Sequence, residues 1–156
     1  MSSQVLRTQE VEIVAFARLM RAHALLRRTL ESEVLSPRGL TVNDFEALVH
    51  LSHEAGHRLR RVDLAERLTL SASGVTRMLD GLEASGLVRK QHCPDDARVT
   101  WAVLTDDGAQ TLDCVGAEHA RALRELFREA LDDDETAQLT ELLGRLPGVG
   151  AGSCTS

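Results

Sequence analysis

The sequence has no tyrosine, and aromatic residues make up 3% of its 156 positions. A packed interior must therefore be built from leucine, alanine and valine. No stretch approaches the roughly 20 uninterrupted apolar residues of a membrane-spanning helix. The first ten residues are polar and lack a signal-peptide core, so a soluble, cytoplasmic protein is expected. Cysteine is scarce: Cys93, Cys114 and Cys154 are an odd set without C-x-x-C spacing. A disulfide framework is not expected, and the thiols should be reduced. Lysine is nearly missing as well, Lys90 being the only one among 18 basic side chains.

What the chain does have is 43% hydrophobic residues and an abundance of Leu, Ala, Glu and Arg, a composition that favours helix. A formal net charge of −6 argues against nucleic acid as a partner, but the charge is unevenly spread. Residues 57–101 carry eight Arg/Lys against six Asp/Glu, whereas residues 102–156 carry four against eleven. Because salt screens charges over about 10 Å at 0.1 M, a globally acidic chain can still present a locally basic face.

Hydrophobic periodicity organises the chain. Residues near Glu10 to Val34 read as one long helix, apolar nearly all round between Ile13 and Leu26. In so small a protein such a helix calls for cover from a second subunit. Ser36-Pro37-Arg38-Gly39 breaks it. Thr41 with Asp44 forms a relative of the capping box and opens a second helix, whose inner face is Phe45, Leu48, Val49 and Leu51. Gly56 ends it. A short helix covers about Val62 to Leu68, and another runs from Ser71 to Ser85, stopped by Gly86. Leu87–Cys93 and Arg98–Leu104 then read as a β-hairpin around Pro94-Asp95-Asp96-Ala97. Thr105 caps a helix over about Asp106–Leu131, and a last one covers Asp133–Leu146. Gly148 to Ser156 reads as a disordered tail. The expected fold is mostly α with a small β-hairpin wing. A winged helix-turn-helix core (36–105) is flanked by N- and C-terminal dimerisation helices (1–35 and 106–147).

The helix-turn-helix reading rests on spacing. Leu64, Leu68, Leu70, Val75 and Met78 fall where two steeply crossing helices share a small core, with Ala65 at their close approach. Along the second helix Val75, Met78, Leu79 and Leu82 follow i, i+3, i+4, i+7. Ser73, Gly74, Thr76, Arg77 and Asp80 are left facing outward. That face is slim and polar at its start, as entry into a major groove about 12 Å wide requires. Arg89, Lys90 and Arg98 flank the hairpin tip. Arg98 is the candidate for the minor groove, where negative potential attracts arginine, with Asp96 holding its guanidinium. A solvated amphipathic helix and a surface salt bridge are the plainer readings of the same residues.

Several runs together resemble the MarR family of bacterial regulators. They are Leu64-Ala65-Glu66-Arg67-Leu68, Ser71 through Glu83, Gly86-Leu87-Val88, Asp96-Ala97-Arg98 and Leu104-Thr105-Asp106-Asp107-Gly108. The resemblance covers about Thr41 to Gly108 by motif and the flanking helices by arrangement. It implies a homodimer that places its recognition helices in successive major grooves of a pseudo-palindromic double-stranded DNA operator, with wings in the flanking minor grooves. It also implies repression, released by a small anionic or phenolic effector. By position, Ser71, Ser73, Gly74, Thr76 and Arg77 match the family's recognition-helix contacts, and Asp96 and Arg98 match its wing. Ala97 departs from the pattern, since many relatives carry a second basic residue there.

His23 and Arg27 on the first helix, with His50 on the second, are the candidate effector-binding groups. Salt-bridge partners or half-buried helix residues are the alternative. His50-x-x-His53-x-x-x-His57 offers metal-ligand types, with a Glu or His119 to complete them. Cys93 beside Lys90 and His92 could act as a redox switch, while Cys114 falls on a predicted apolar face. Solvated histidines and reduced thiols are the plainer readings, and no metal or cofactor is expected. Two other classes compete. One is a winged-helix protein-interaction module without DNA binding, against which Arg77, Arg89 and Arg98 speak. The other is a metalloprotease, because His53-Glu54-Ala55-Gly56-His57 has H-E-x-x-H spacing. Gly56, however, ends the helix that would have to carry both histidines, so no enzyme is expected.

Overall fold

The computed structural model describes residues 2–93, 96, 98–147 and 149. The chain divides into two compact units, Met1–His119 and Ala120–Ser156. The wing-tip residues 94, 95 and 97 lie outside the described residues, as does the expected disordered tail except for residue 149.

The first unit begins with helix α1, Ser2–Leu30. The α-helical ladder ends earlier than the apolar pattern suggests. Glu31–Leu35 forms a π-helical turn and Ser36–Arg38 a 3₁₀ turn. Pro37 has no amide proton to donate to the carbonyl of Glu33, so α-geometry cannot run through it. Gly39, at φ +72°, reverses the chain. Helix α2, Val42–His53, starts from Thr41 in the expected capping box. The Asp44 amide donates to Thr41 Oγ1 at 3.2 Å, and the Thr41 amide donates to Asp44 Oδ2 at 2.8 Å. Its innermost residues are Val42, Ala47, Leu48 and Leu51. Phe45 and Val49, expected on that face, are only half-buried.

A strand absent from the sequence reading follows: β1, Arg58–Arg60, with Leu59 buried between two exposed arginines. It leads into α3, Arg61–Arg67, and then α4, Ala72–Ala84. Ser71 caps α4, its Oγ accepting from the Gly74 amide at 3.1 Å. Val75, Leu79 and Leu82 are buried against the core with Leu64 of α3, while Met78 is half-buried. Gly86 (φ +74°) turns the chain out of the helix. Strands β2, Val88–His92, and β3, Thr100–Leu104, form the expected hairpin. Both β1 and β2 pair antiparallel with β3, in the order β1-β3-β2, registering Leu59 and Lys90 on either side of Ala102. Arg58 lies over the Trp101 ring, 4.9 Å from its centroid.

Helix α5, Asp106–Arg128, is joined closely to the end of α4. Thr105 Oγ1 donates to the Gly86 carbonyl at 2.7 Å and accepts from the Gly108 amide at 3.0 Å. The Thr105 amide donates to the Leu87 carbonyl at 3.1 Å. A Cβ on Gly108 would overlap the Leu87 carbonyl oxygen and sit 2.8 Å from Leu104 Cδ1. Only glycine fits there. Further along α5, Glu118 pairs with Arg38 and the His119 ring lies 4.6 Å from that of Phe45.

In the second unit, α6 spans Asp133–Gly144 and starts from an Asp132–Glu135 capping box. Glu141 and Arg145 pair across one turn of that segment. No helix among the described residues is long and apolar enough to cross a membrane.

Candidate nucleic-acid interface

The start of α4 presents its polar side chains to solvent. Ser71, Ser73, Arg77 and Asp80 are exposed, and Gly74 and Thr76 are half-buried. This follows from the helical period: with Val75, Leu79 and Leu82 committed to the core, the intervening positions must point outward. Ser71 and Ser73 hydroxyls lie 3.2 Å apart. A Cβ at residue 74 would come within 3.1 Å of the Ser71 hydroxyl, so Gly74 leaves the cap uncrowded and the first turn thin. Thr76 Oγ1 donates to the Ala72 carbonyl at 2.8 Å and accepts from Arg61 Nη1 at 3.4 Å. Arg61, at the start of α3, is a contributor that the sequence reading missed. Its contact depends on the crossing of two helices, which no local spacing encodes.

The structure sorts the eight basic side chains of residues 57–101 into two groups. Arg60 forks onto Asp63 at 2.6 and 2.8 Å, and Arg67 pairs with Glu54 at 2.6 Å. Lys90 reaches Asp80 at 2.6 Å and Glu83 at 2.9 Å. Arg58 lies on Trp101 and Arg61 on Thr76. Arg77, Arg89 and Arg98 remain, exposed and with no carboxylate partner among the described residues. All three are basic groups named from the sequence, and two of them, Arg77 and Arg98, are the arginines assigned there to the grooves.

Two details of the reading change. Asp96 Oδ1 accepts from the backbone amide of Arg98 at 2.9 Å, so Asp96 is engaged with the main chain of Arg98 and not with its guanidinium. An aspartate oxygen reaches the amide two residues on more readily than a long side chain. Lys90, read as one of the basic groups flanking the wing tip, is instead anchored to α4. Lys90 is consequently held above its ordinary pKa, first by its hydrogen bond to Asp80 and then by that to Glu83. The Glu83 carboxyl is held below its own, by hydrogen bonds from the Lys90 ammonium and amide.

The candidate effector residues are partly brought together. His23 and Arg27 line one open concavity of about 550 Å³ on α1 and the turn after it, together with Arg28 and Glu31. Arg27 also donates to Asn43 Oδ1 at 2.6 Å and lies 3.8 Å from Glu46. His50 does not line that concavity. Burial, followed by the charge of Arg67, holds its pKa low. His119 is also held low by burial, with Glu46 opposing.

The H-E-x-x-H spacing does not make a zinc site. Helix α2 stops at His53, Glu54 is extended, Gly56 is left-handed and His57 has φ +50°. The two histidines therefore do not share a helical face. Glu54 is taken by Arg67, and the His57 ring lies 3.0 Å from the Ser52 carbonyl. Among the described residues no group of three or more His, Cys, Asp or Glu is placed to hold a metal. Cys93 is half-buried, and Cys114, expected to pack, is exposed on the subunit. Cys154 lies outside the described residues.

Comparison with known proteins agrees with this architecture. The MarR family model matches residues 40–100. AbsC from Streptomyces coelicolor, a MarR family transcriptional regulator, superposes with a TM-score of 0.74 at 34% identity, covering 85% of this chain and 89% of that one. Sco3205 from the same organism, a MarR family regulator solved in complex with DNA, superposes with a TM-score of 0.74 at 27% identity, covering 84% and 82%. The Bacillus subtilis HTH-type transcriptional regulator MhqR is 26% identical over 137 residues, 88% of this chain and 92% of its own.

Proposed function

The chain belongs to the MarR family of winged helix-turn-helix transcriptional regulators, and on that footing we propose that it is a cytoplasmic homodimer that represses from a pseudo-palindromic operator. It is a regulator, not an enzyme. The observation that carries the reading is the segregation of charge. Arg58 is exposed too but lies on the Trp101 ring, whereas Arg77, Arg89 and Arg98, exposed and with neither an acidic nor an aromatic partner among the described residues, lie on the recognition helix and the wing. In this reading Ser71, Ser73, Gly74, Thr76 and Arg77 meet the major groove. Asp96 sets the wing turn from which Arg98 enters the minor groove. The regions 1–35 and 106–147 form the dimer, supported by the large apolar side chains that α1 leaves in solvent. A small anionic or phenolic effector, held by His23 and Arg27 with His50 on the neighbouring helix, would release DNA by altering the spacing of the two heads.

The test begins with the genomic fragments that the purified chain retains, followed by titration of the selected duplex against salt. Phosphate contacts release counterions, so several per dimer predict log K falling with log[salt] at a slope steeper than about −3. A monomeric chain indifferent to every duplex at low ionic strength would sink the proposal. Phenolic carboxylates titrated against the bound complex test the effector separately.

A further inference from the structure

We propose that Lys90 is a positioning residue for DNA binding, fixing the wing against the recognition helix without touching the duplex. This rests on the DNA-binding reading above. Lys90 is the sole lysine of the chain, and its ammonium is enclosed by Asp80 Oδ1 at 2.6 Å and Glu83 Oε2 at 2.9 Å. The group of three carries a net negative charge, so it offers a phosphate no attraction. A duplex contact would have to displace two carboxylates, each a better partner for the ammonium at these distances than a screened phosphate. The neighbouring Arg89 carries no such pairing among the described residues and is exposed.

The second strand of the argument is the backbone. β2 is an edge of the sheet, and an edge strand leaves amides without ladder partners. At Lys90 that amide donates to Glu83 Oε1 at 2.9 Å. One carboxylate thus grips both the main chain and the side chain of the same residue. The grip falls in the middle of β2, from which the hairpin continues outward to Asp96 and Arg98. Asp80 and Glu83 stand one turn apart on α4, and Arg77 lies one turn before Asp80 on the same helix. The helix that enters one groove and the hairpin that enters the next are therefore fastened at a single point. Where Arg98 arrives depends on that point holding.

The experiment is a double-mutant cycle on the full chain with its selected operator, using Lys90→Met, Arg98→Ala and the pair. Amide hydrogen exchange of residues 88–92 in the DNA-free protein accompanies it. Lys90→Met should weaken binding about ten-fold or more. In its background Arg98→Ala should cost far less than in the parent, because a displaced wing has already lost the contact. Lys90→Arg, which keeps charge and donors, should bind within about three-fold of the parent. Exchange in β2 should rise in Lys90→Met and in Glu83→Gln. The proposal is overturned if Arg98→Ala costs the same in both backgrounds. It is equally overturned if Lys90→Met flattens the salt slope by about 1.8 with β2 exchange unchanged, the signature of one direct phosphate contact from each subunit of the dimer. Should Lys90→Met not fold, Glu83→Gln takes its place in the cycle, and an Arg98→Ala cost unchanged in that background overturns the proposal. If the parent binds no duplex, the DNA reading fails on its own, and unchanged exchange in the variants still overturns the clamp.

Discussion

Helices α1 and α4 handle their apolar residues in opposite ways. On α4, Val75, Leu79 and Leu82 are at most 2% exposed, and what faces water includes Ser73, Arg77, Asp80, Gly81 and Glu83, the two acids being engaged with Lys90. On α1, Val11, Ile13 and Phe16 are 65–69% exposed, with Val14, Met20 and Leu25 close to half. A helix that hides its apolar stripe is complete within its own subunit, and its outer face is free to meet a polyanion. A helix that leaves such a stripe in water is incomplete, since monomers rarely expose contiguous apolar patches of that size. The lesson is a division of labour: α4 is finished by the fold of the subunit, and α1 is not.

Four perturbations test that division. The largest effect should come from Phe16→Glu with Ile13→Glu on α1. The subunit should stay folded by circular dichroism but become monomeric by analytical ultracentrifugation. Operator affinity should fall about 10²–10⁴-fold as the linkage between the two heads is lost. A folded dimer after both changes would break the comparison. Next, Leu79→Ala opens a cavity on the inner face of α4 and should cost about 2–5 kcal/mol in chemical denaturation. Third, Arg77→Ala on the outer face of α4 should leave that stability unchanged. It should cost about 1–3 kcal/mol of operator binding if the guanidinium forks onto a base. Equal losses of stability from Leu79→Ala and Arg77→Ala would contradict the two-faced reading of the helix.

The smallest effect concerns pH. His50 and His119 are held below the usual histidine range, first by burial. The unfolded chain therefore takes up protons before the folded one does. Their contribution to stability is intact above the ordinary histidine pKa and is lost as pH falls through the lower folded values. The melting temperature should drop between about pH 7.5 and pH 5.5, and His50→Gln with His119→Gln should flatten that dependence. Neither histidine is on α4, so the DNA-reading helix is not the acid-sensitive part.

Much of the fold was legible because it is written in local chemistry. The Thr41–Asp44 box, the Ser71 cap, Gly86 and the i, i+3, i+4 pattern of α4 each act within one or two turns of the chain. The same holds for Pro37 and for Gly56, which separates His53 from His57. β1 was not legible. Its three residues are too few to show alternation, and its pairing with β3 links positions some 40 residues apart. The long-range partners of the basic residues were equally hidden. Nothing in the run Arg89-Lys90 distinguishes an exposed arginine from a lysine held by Asp80 and Glu83. Ser73, Arg77 and Asp80 carry their exposure in the helical period, so that part of the candidate interface could be read directly.

The seam at Gly108 limits how such a molecule can move. With its main chain pressed on the Leu87 carbonyl and Thr105 stitched to Gly86, the junction of α4's exit and α5's entry has no slack. A joint without slack transmits displacement and does not absorb it. The first turns of α5 then act as a stiff handle on α4, so that tilting the handle re-aims that helix.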